Sequence, residues 1–401
     1  MESSTRRAFL RRAGLTCAGL APLAHASGRF FAQVPDSLGD SAPATSDAGG
    51  SRLACRVLPV HVQHQRVLRT VVGLRPYRPS GFVVRPEKVD DTLVIHNYGH
   101  GGAGITLSWG TAQLALQAGC QGTRGPVAVL GCGAVGLATA RLLQEAGFEV
   151  TIYTKALPQD TTSNIAGAAW APFLVADPAR IDSAFRQQLL FAEQFAHARF
   201  LGMLGADSGV HWIRSYSIAK VQPEQAGADG GRSRFGAIKP GSRELTSAEH
   251  PFPVTTSVTQ SNTLLIEPPR YLQSLSGAFR QASGRIVLRD IADRAAIAAL
   301  PERVVFNCTG LGAKELFCDS ELTPARGQLT FLRPQPEVDY AVSHDDLYML
   351  PRTDGIVLGG TYELGVSSLT PDMNKMRRIL AQHSAFFANY RSAACLDART
   401  I

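Results

Sequence analysis

The chain has 401 residues, 45% of them hydrophobic, with a formal net charge of +7 and seven cysteines. Length and composition describe a globular protein of two or three domains with a sizeable core and exclude a disordered or fibrous chain. The basic excess does not mark a nucleic-acid partner, because Lys and Arg are scattered rather than gathered in a stripe with interleaved aromatics. The cysteines (Cys17, Cys55, Cys120, Cys132, Cys308, Cys318, Cys395) show neither a CxxC pair nor zinc spacing. Most are expected to be small buried apolar residues, and no metal is expected.

In chain order, residues 1–26 come first. TRRAFLRRAGLTCAGLAPLAHASG holds Arg6 and Arg7 ahead of Phe9 and Leu10, then a short apolar run and a small-x-small site at residues 24–26. This resembles a twin-arginine export signal. Its arginines (Arg6, Arg7, Arg11, Arg12) against Glu2 account for three of the seven excess positive charges. The run is far short of the ~20 apolar residues of a membrane span. The expected partner is therefore the twin-arginine translocation machinery, with no stable membrane insertion and a periplasmic or extracellular destination. Residues 27–54, rich in Ser, Ala, Gly, Asp and Pro, read as a disordered linker.

GLRPYRP at residues 73–79 puts two arginines on a strand stiffened by Pro76 and Pro79. A guanidinium grips a carboxylate through two parallel hydrogen bonds, so Arg75 and Arg78 are rival anchors for an anionic substrate. HNYGHGGAGIT follows at residues 96–106, and the glycines at 99, 101, 102, 104 and 110 lead into a helix expected over 107–118. The start of such a helix offers uncompensated N–H groups and a partial positive charge to an anionic ligand. A glycine-rich surface turn is the plainer reading of the same residues, and His100 is read as structural.

After GCQGTRGP at 119–126, the stretch PVAVLGCGAVGLATARLLQEAGFEVTIYT predicts a strand over 127–130, a glycine turn, a helix over 137–146 and a second strand over 149–153. Gly131 permits the tight turn, Gly133 lets the backbone approach a pyrophosphate, and Gly136 lets helix and strand pack closely. Found between strand and helix, this pattern points to a dinucleotide. Thr154 and Lys155 stand where an acidic residue usually grips the adenosine ribose, and a lysine there also suits a phosphorylated ribose as in NADP. DTTSNIAGAAWAPF at 160–173 argues against NADP. Thr161, Thr162 and Ser163 offer hydroxyls to diphosphate or ribityl oxygens, and the small residues after them let the main chain lie against a planar ring. A Thr/Ser turn entering a core strand is the alternative.

Taken together, VAVLGCGAVG, DTTSNIAGAAW, VVFNCTGLGA (304–313), ARGQ (325–328), IVLGGTYELG (356–365), GLRPYRP and HNYGHGGAGIT resemble the D-amino-acid oxidase family of FAD enzymes. In that family the last two motifs lie near the C-terminus; here they precede the nucleotide-binding strand. A circular permutation accounts for the order. Residues 119–126 span roughly 25 Å at ~3.3 Å each and join the old termini. The new ends fall between the helix-like stretch after Asp372 and the strand before Gly73.

The resemblance implies an α/β fold, a Rossmann-type FAD-binding domain beside a mixed-sheet substrate domain. The first is expected over 85–172 and 280–324, the second over 55–84, 173–279 and 325–401. It implies oxidative deamination of D-amino acids to 2-oxo acids, ammonia and hydrogen peroxide, with hydride transfer to flavin N5, dioxygen as oxidant and no side-chain base. It selects Arg75 over Arg78 as the carboxylate anchor, adds the Tyr348 hydroxyl, and makes Gly102 the carbonyl that receives the substrate amino group. The implied FAD contacts are Gly131, Gly133, Ala134, Val135, Gly136, Thr161, Thr162, Ser163, Gly167, Ala168, Ala169, Ile291, Thr309, Gly101, Gly102, Ala103, Gly104, Ile105 and Thr106. Only SHDD at 343–346 precedes Leu347, so the lid carried by animal members is shortened. Arg352 is expected to face solvent. A related amine oxidase or dehydrogenase acting on glycine, sarcosine or D-aspartate remains open, as does an inert binding protein of the same fold.

Overall fold

The computed structural model describes residues 57–120, 125–167, 169–220, 240–253 and 256–390, all within one compact unit, Asp40–Ile401. The expected signal and linker, residues 121–124 of the 119–126 joint, Ala168, Cys17, Cys55 and Cys395 lie outside the described residues.

Two sheets organise the chain. The six-stranded sheet runs in the order β2 (Val83–Val89), β3 (Thr92–Tyr98), β10 (Val304–Asn307), β4 (Val127–Leu130), β5 (Val150–Thr154), β9 (Arg285–Leu288). All neighbours are parallel except the β2–β3 hairpin. A parallel sheet is covered on both faces, so its strands read as continuous apolar runs, and VAVL of β4 is buried at all four positions. Val127 and Val129 face α2 (Ala134–Glu145) and α4 (Pro268–Gln281) through Leu137, Leu272 and Phe279. Ala128 and Leu130 face the opposite cluster with Ile297 and Leu316.

The nine-stranded sheet runs in the order β1 (Val67–Tyr77), β11 (Thr323–Leu332), β14 (Gly355–Gly359), β13 (Leu347–Arg352), β12 (Tyr340–His344), β6 (Val210–Lys220), β8 (Thr256–Ile266), β7 (Arg243–Leu245), with β15 (Glu363–Leu364) on β11. It is antiparallel apart from β12 and β6. One face buries Tyr216, Val258, Val342 and Met349 against Met376, Ile379 and Phe387 of α7 (Met373–Ala388). The other face is apolar near Ile213, Leu265, Leu350 and Val357 and opens further along the strands.

The α/β architecture with a Rossmann-type unit beside a mixed sheet is the one expected. The helix expected over 107–118 is α1 (Ser108–Gly119). α2 begins at Ala134 rather than 137, because the last glycines of the turn already belong to its first turn. Cys132 and Cys308 are buried, but Cys318 is exposed in a turn at φ +54°, a correction to the expectation for the cysteines.

Candidate active site

The glycine turn after β4 is built by backbone contacts. Gly131 has φ +98°, a region glycine adopts without strain, and a Cβ there would stand 2.7 Å from the Cys308 carbonyl oxygen. A Cβ on Gly136 would stand 2.1 Å from the Gly131 oxygen, so only glycine lets α2 close on the turn. The Gly131 N–H donates to the Tyr153 carbonyl, whereas among the described residues those of Cys132 and Gly133 have no backbone acceptor. The Ala134 N–H donates to Ser163 Oγ at 3.0 Å, which brings the hydroxyl run onto the helix start. Thr162 and Ser163 sit in a short 3-10 helix, Thr162–Ile165, and Thr161 Oγ1 donates to the Pro158 carbonyl. Thr309 follows β10 beside Gly131, with its hydroxyl on Asn307 Oδ1 at 2.7 Å. Val135 is half-buried on α2. Ile291 packs at the carboxyl end of β9, and Lys155 is exposed past the end of β5.

The second loop approaches from the other side. Gly101, at φ +57°, donates its N–H to the Pro76 carbonyl at 2.8 Å, and a Cβ there would overlap the Leu174 oxygen at 1.8 Å. The loop is thereby fixed to the residue after Arg75. Gly102 is exposed, while Ala103, Ile105 and Thr106 are buried, with the Thr106 hydroxyl on the Ala171 carbonyl at 3.0 Å. Among the described residues the N–H groups of Gly104, Ile105 and Thr106 have no backbone acceptor, and α1 starts behind them with no capping side chain and no acid in its first turn. Unpaired donors at a helix start suit an anionic or electron-rich ligand edge. His100 is buried with Nε2 2.8 Å from Thr111 Oγ1, and burial pushes its pKa down to about 3, so it is a structural neutral imidazole.

On the open face of the large sheet, Arg75 and Tyr348 meet. The Arg75 charge acts on the Tyr348 hydroxyl, and Arg75 Nη1 reaches the Thr361 carbonyl at 3.5 Å; among the described residues it has no carboxylate partner. Arg78 is held by Asp319 at 3.0 Å and Glu321 at 2.6 Å, so its charge is already neutralised. Burial pushes the Tyr348 phenol up against the opposing pull of Arg75 and Arg352, and the net shift is upward, keeping it a neutral donor at physiological pH. Tyr362, 46% exposed, stands close enough for the Arg75 charge to act on its phenol.

Glycines on neighbouring strands make room for both side chains. A Cβ on Gly327, opposite Gly73, would fall 2.2 Å from Arg75 Nη1, and one on Gly359, opposite Tyr348, would fall 2.1 Å from the Tyr348 ring. The expected site omits Gly327, Gly359 and Thr361. Their signal is present in ARGQ and IVLGG, since glycine inside a strand marks a close approach.

Side-chain contacts join the three groups. Ser163 lies against Gly133, Thr162 and Ile165 lie against Gly73, and Gly167 lies 3.2 Å from the Tyr348 hydroxyl, measured from the Cβ it lacks. Ala169 bridges to Leu265 on β8. Arg352 departs from expectation: it does not face solvent, its side chain being 1% exposed, paired with Asp354 and donating to the Ala166 carbonyl at 2.9 Å. Its guanidinium holds the Ala166 carbonyl at the head of the small-residue run.

The glycine cradle, its unpaired N–H groups and the open backbone beyond Gly102 fit a dinucleotide with a planar ring, and the donor set contains nothing suited to a metal: among the described residues no cluster of His, Cys, Asp and Glu forms. The DAO family model, described as FAD dependent oxidoreductase, matches residues 26–118 and 126–399. The D-amino-acid oxidase of Rubrobacter xylanophilus is 31% identical over 277 residues, 68% of this chain and 80% of that protein. The D-aspartate oxidase of Homo sapiens is 30% identical over 264 residues, 64% of this chain and 74% of that protein. The solved glycine oxidase of Geobacillus kaustophilus superposes with a TM-score of 0.49 at 15% identity, covering 65% of this chain and 77% of that one. The chain is an FAD-using enzyme and belongs to the DAO family of FAD-dependent oxidoreductases.

Proposed function

We propose that this protein oxidatively deaminates D-amino acids: the amino acid, dioxygen and water give the 2-oxo acid, ammonia and hydrogen peroxide. The observation that carries the reading is Arg75, a half-buried guanidinium that has no carboxylate partner among the described residues and stands beside the neutral Tyr348 hydroxyl on an open sheet face. FAD, when bound, supplies a two-electron acceptor. Arg75 and Tyr348 clamp the substrate carboxylate, and the Gly102 carbonyl takes the amino group, so the Cα hydrogen is presented in one orientation. No basic side chain is required, and His100 is buried and committed to Thr111. Gly131, Gly133, Ala134, Val135, Gly136 and Thr309 would hold the dinucleotide, together with Thr161 to Ser163, Gly167, Ala169 and Ile291, and the backbone from Gly101 to Thr106 would hold the ring.

The division into an FAD-binding part (85–172, 280–324) and a substrate part (55–84, 173–279, 325–401) is supported by the strands each sheet draws from those stretches, with β2 starting two residues earlier and β11 at Thr323. Circular permutation is supported by two observations. The family match breaks between 118 and 126. The Tyr340 hydroxyl bonds the Leu58 carbonyl at 2.6 Å and the Tyr390 hydroxyl at 3.1 Å, so the segment before β1 and the end of α7 adjoin, as an unpermuted order requires. Export rests on residues 1–26 alone; replacing Arg6 and Arg7 by Lys should retain the protein in the cytoplasm, read by fractionation.

The test of the activity is the visible spectrum of the purified protein under anaerobic conditions. A flavin band near 450 nm that bleaches with D-alanine and not with L-alanine is the expected result. A flavin band that no D-amino acid bleaches would refute the reading.

A further inference from the structure

Tyr348 belongs to a row of side chains that crosses the large sheet. In register across the strands stand Gly359, Tyr348, Ser343, Ser217 and Thr259, so all five point to one face. The sheet is interior here, since β12 has β13 on one side and β6 on the other. A largely antiparallel sheet commonly packs one face and leaves part of the other open. The far face is packed: Tyr216, Ile218, Val342 and His344 are buried. On the near face Ser215, Ser217, Ser343 and Tyr348 are only half-buried, whereas Ile213, Leu265, Ala341 and Leu350 along the same face are closed over. The part of the face left open beside Tyr348 is therefore its hydroxyl-bearing part, and Ser343 Oγ lies 3.5 Å from Ser217 Oγ.

Resting on the proposed D-amino-acid reaction, we infer that Ser343 and Ser217 line the compartment for the substrate side chain and select neutral side chains that carry a hydrogen-bonding group, hydroxyl or carboxamide. With the carboxylate held by Arg75 and Tyr348, the side chain points along the row or away from the sheet, and the row offers hydroxyls. A hydroxyl both donates and accepts, so it serves an alcohol and an amide equally. A large apolar side chain would shield this hydroxyl pair and return no hydrogen bond. Among the described residues an acidic side chain would find no free counter-charge. The two cations acting on Tyr348 are Arg75, engaged by the α-carboxylate, and Arg352, already paired with Asp354; Arg214, on β6, is paired with Asp339.

The experiment compares isosteres on the purified flavin-loaded enzyme. D-serine and D-2-aminobutyrate differ by OH for CH3, and D-asparagine and D-aspartate by charge. The expected kcat/KM for D-serine exceeds that for D-2-aminobutyrate about fivefold, the net value of one hydrogen bond, and D-asparagine exceeds D-aspartate at least tenfold. In Ser343→Ala and Ser217→Ala the D-serine to D-2-aminobutyrate ratio should fall about fivefold. Calorimetric binding of 3-hydroxypropanoate against butanoate, neither of which has an amine to oxidise, should lose the same preference. A ratio unmoved by both variants, or a wild-type preference for the apolar isostere, overturns the inference while leaving D-amino-acid oxidation intact. If no D-amino acid reduces the protein and Arg75→Leu leaves butanoate binding unchanged, the proposed function falls and this inference with it.

Discussion

The cradle around Gly131 and the open face around Arg75 are built in opposite ways. The cradle comes mostly from one continuous stretch, 127–163, and its chemistry is backbone: N–H groups without acceptors and glycines that admit no Cβ. The face joins β1 to β11, β13 and β14, which follow more than 200 residues later, and its chemistry is side-chain: one guanidinium, one phenol and the strand glycines that make space for them. Backbone sites fail through steric overlap. Side-chain sites fail through lost charge with the fold intact.

That contrast predicts its largest effect at Gly136. A valine there would drive Cβ into the Gly131 carbonyl at 2.1 Å, so the protein should purify without flavin absorbance, with stability lowered by ~3 kcal/mol or more in urea unfolding. Gly133→Ala, whose Cβ would meet only Ser163 Oγ at 3.0 Å, should keep measurable flavin; equal flavin loss in both variants would break the steric account.

Next is the arginine pair. Arg75→Leu removes two charge-assisted bonds and should lower kcat/KM for D-alanine by about 10²–10⁴ with Tm nearly unchanged. Arg78→Leu removes the only guanidinium on Asp319 among the described residues, while Asp319 keeps the Tyr98 hydroxyl and Glu321 keeps Arg180; stability should fall by about 2 kcal/mol, read in urea. Swapped outcomes would reverse the assignment of the two arginines.

Tyr348→Phe deletes a hydroxyl and keeps the ring over Gly359, so about a tenfold loss in kcat/KM is expected, without a change in the flavin spectrum.

The smallest effect on activity, none, is expected away from the site, at a side-chain charge that is purely a stability matter. Glu193, on α3 (Ser183–Leu201), is buried with Oε1 unpartnered among the described residues, and burial pushes its carboxyl up to about 7. A raised carboxyl contributes stability fully below its unfolded value near ~4.3, and that contribution is lost as pH rises through about 7. Glu193→Gln should therefore leave stability unchanged at pH 4 and raise it by up to ~3 kcal/mol at pH 8, measured by urea unfolding.

Much of this was legible in the chain. The strand–turn–helix around Gly131 is read from spacing because each glycine answers to a neighbour within a few residues, and the fold class followed from the same motifs. The choice between Arg75 and Arg78 was not legible from residue chemistry: they stand three residues apart at the end of β1, and only Asp319 and Glu321, more than 200 residues away, distinguish them. Arg352 was misplaced for the same reason. An arginine in a strand is expected to reach solvent, and its burial depends on Asp354 and the Ala166 carbonyl converging on it. Tyr348 was found by motif, but the glycine that seats it is identified only by the β13–β14 register.

By itself the sequence determined which backbone could turn tightly enough to receive a dinucleotide, because a missing Cβ is a property of single positions and local spacing. Which charges stay free, which face of a strand is left uncovered and which hydroxyls stand beside Tyr348 were decided only by tertiary structure. Charge neutralisation and burial depend on what distant segments bring within a few ångströms, and no local pattern in the chain encodes that distance.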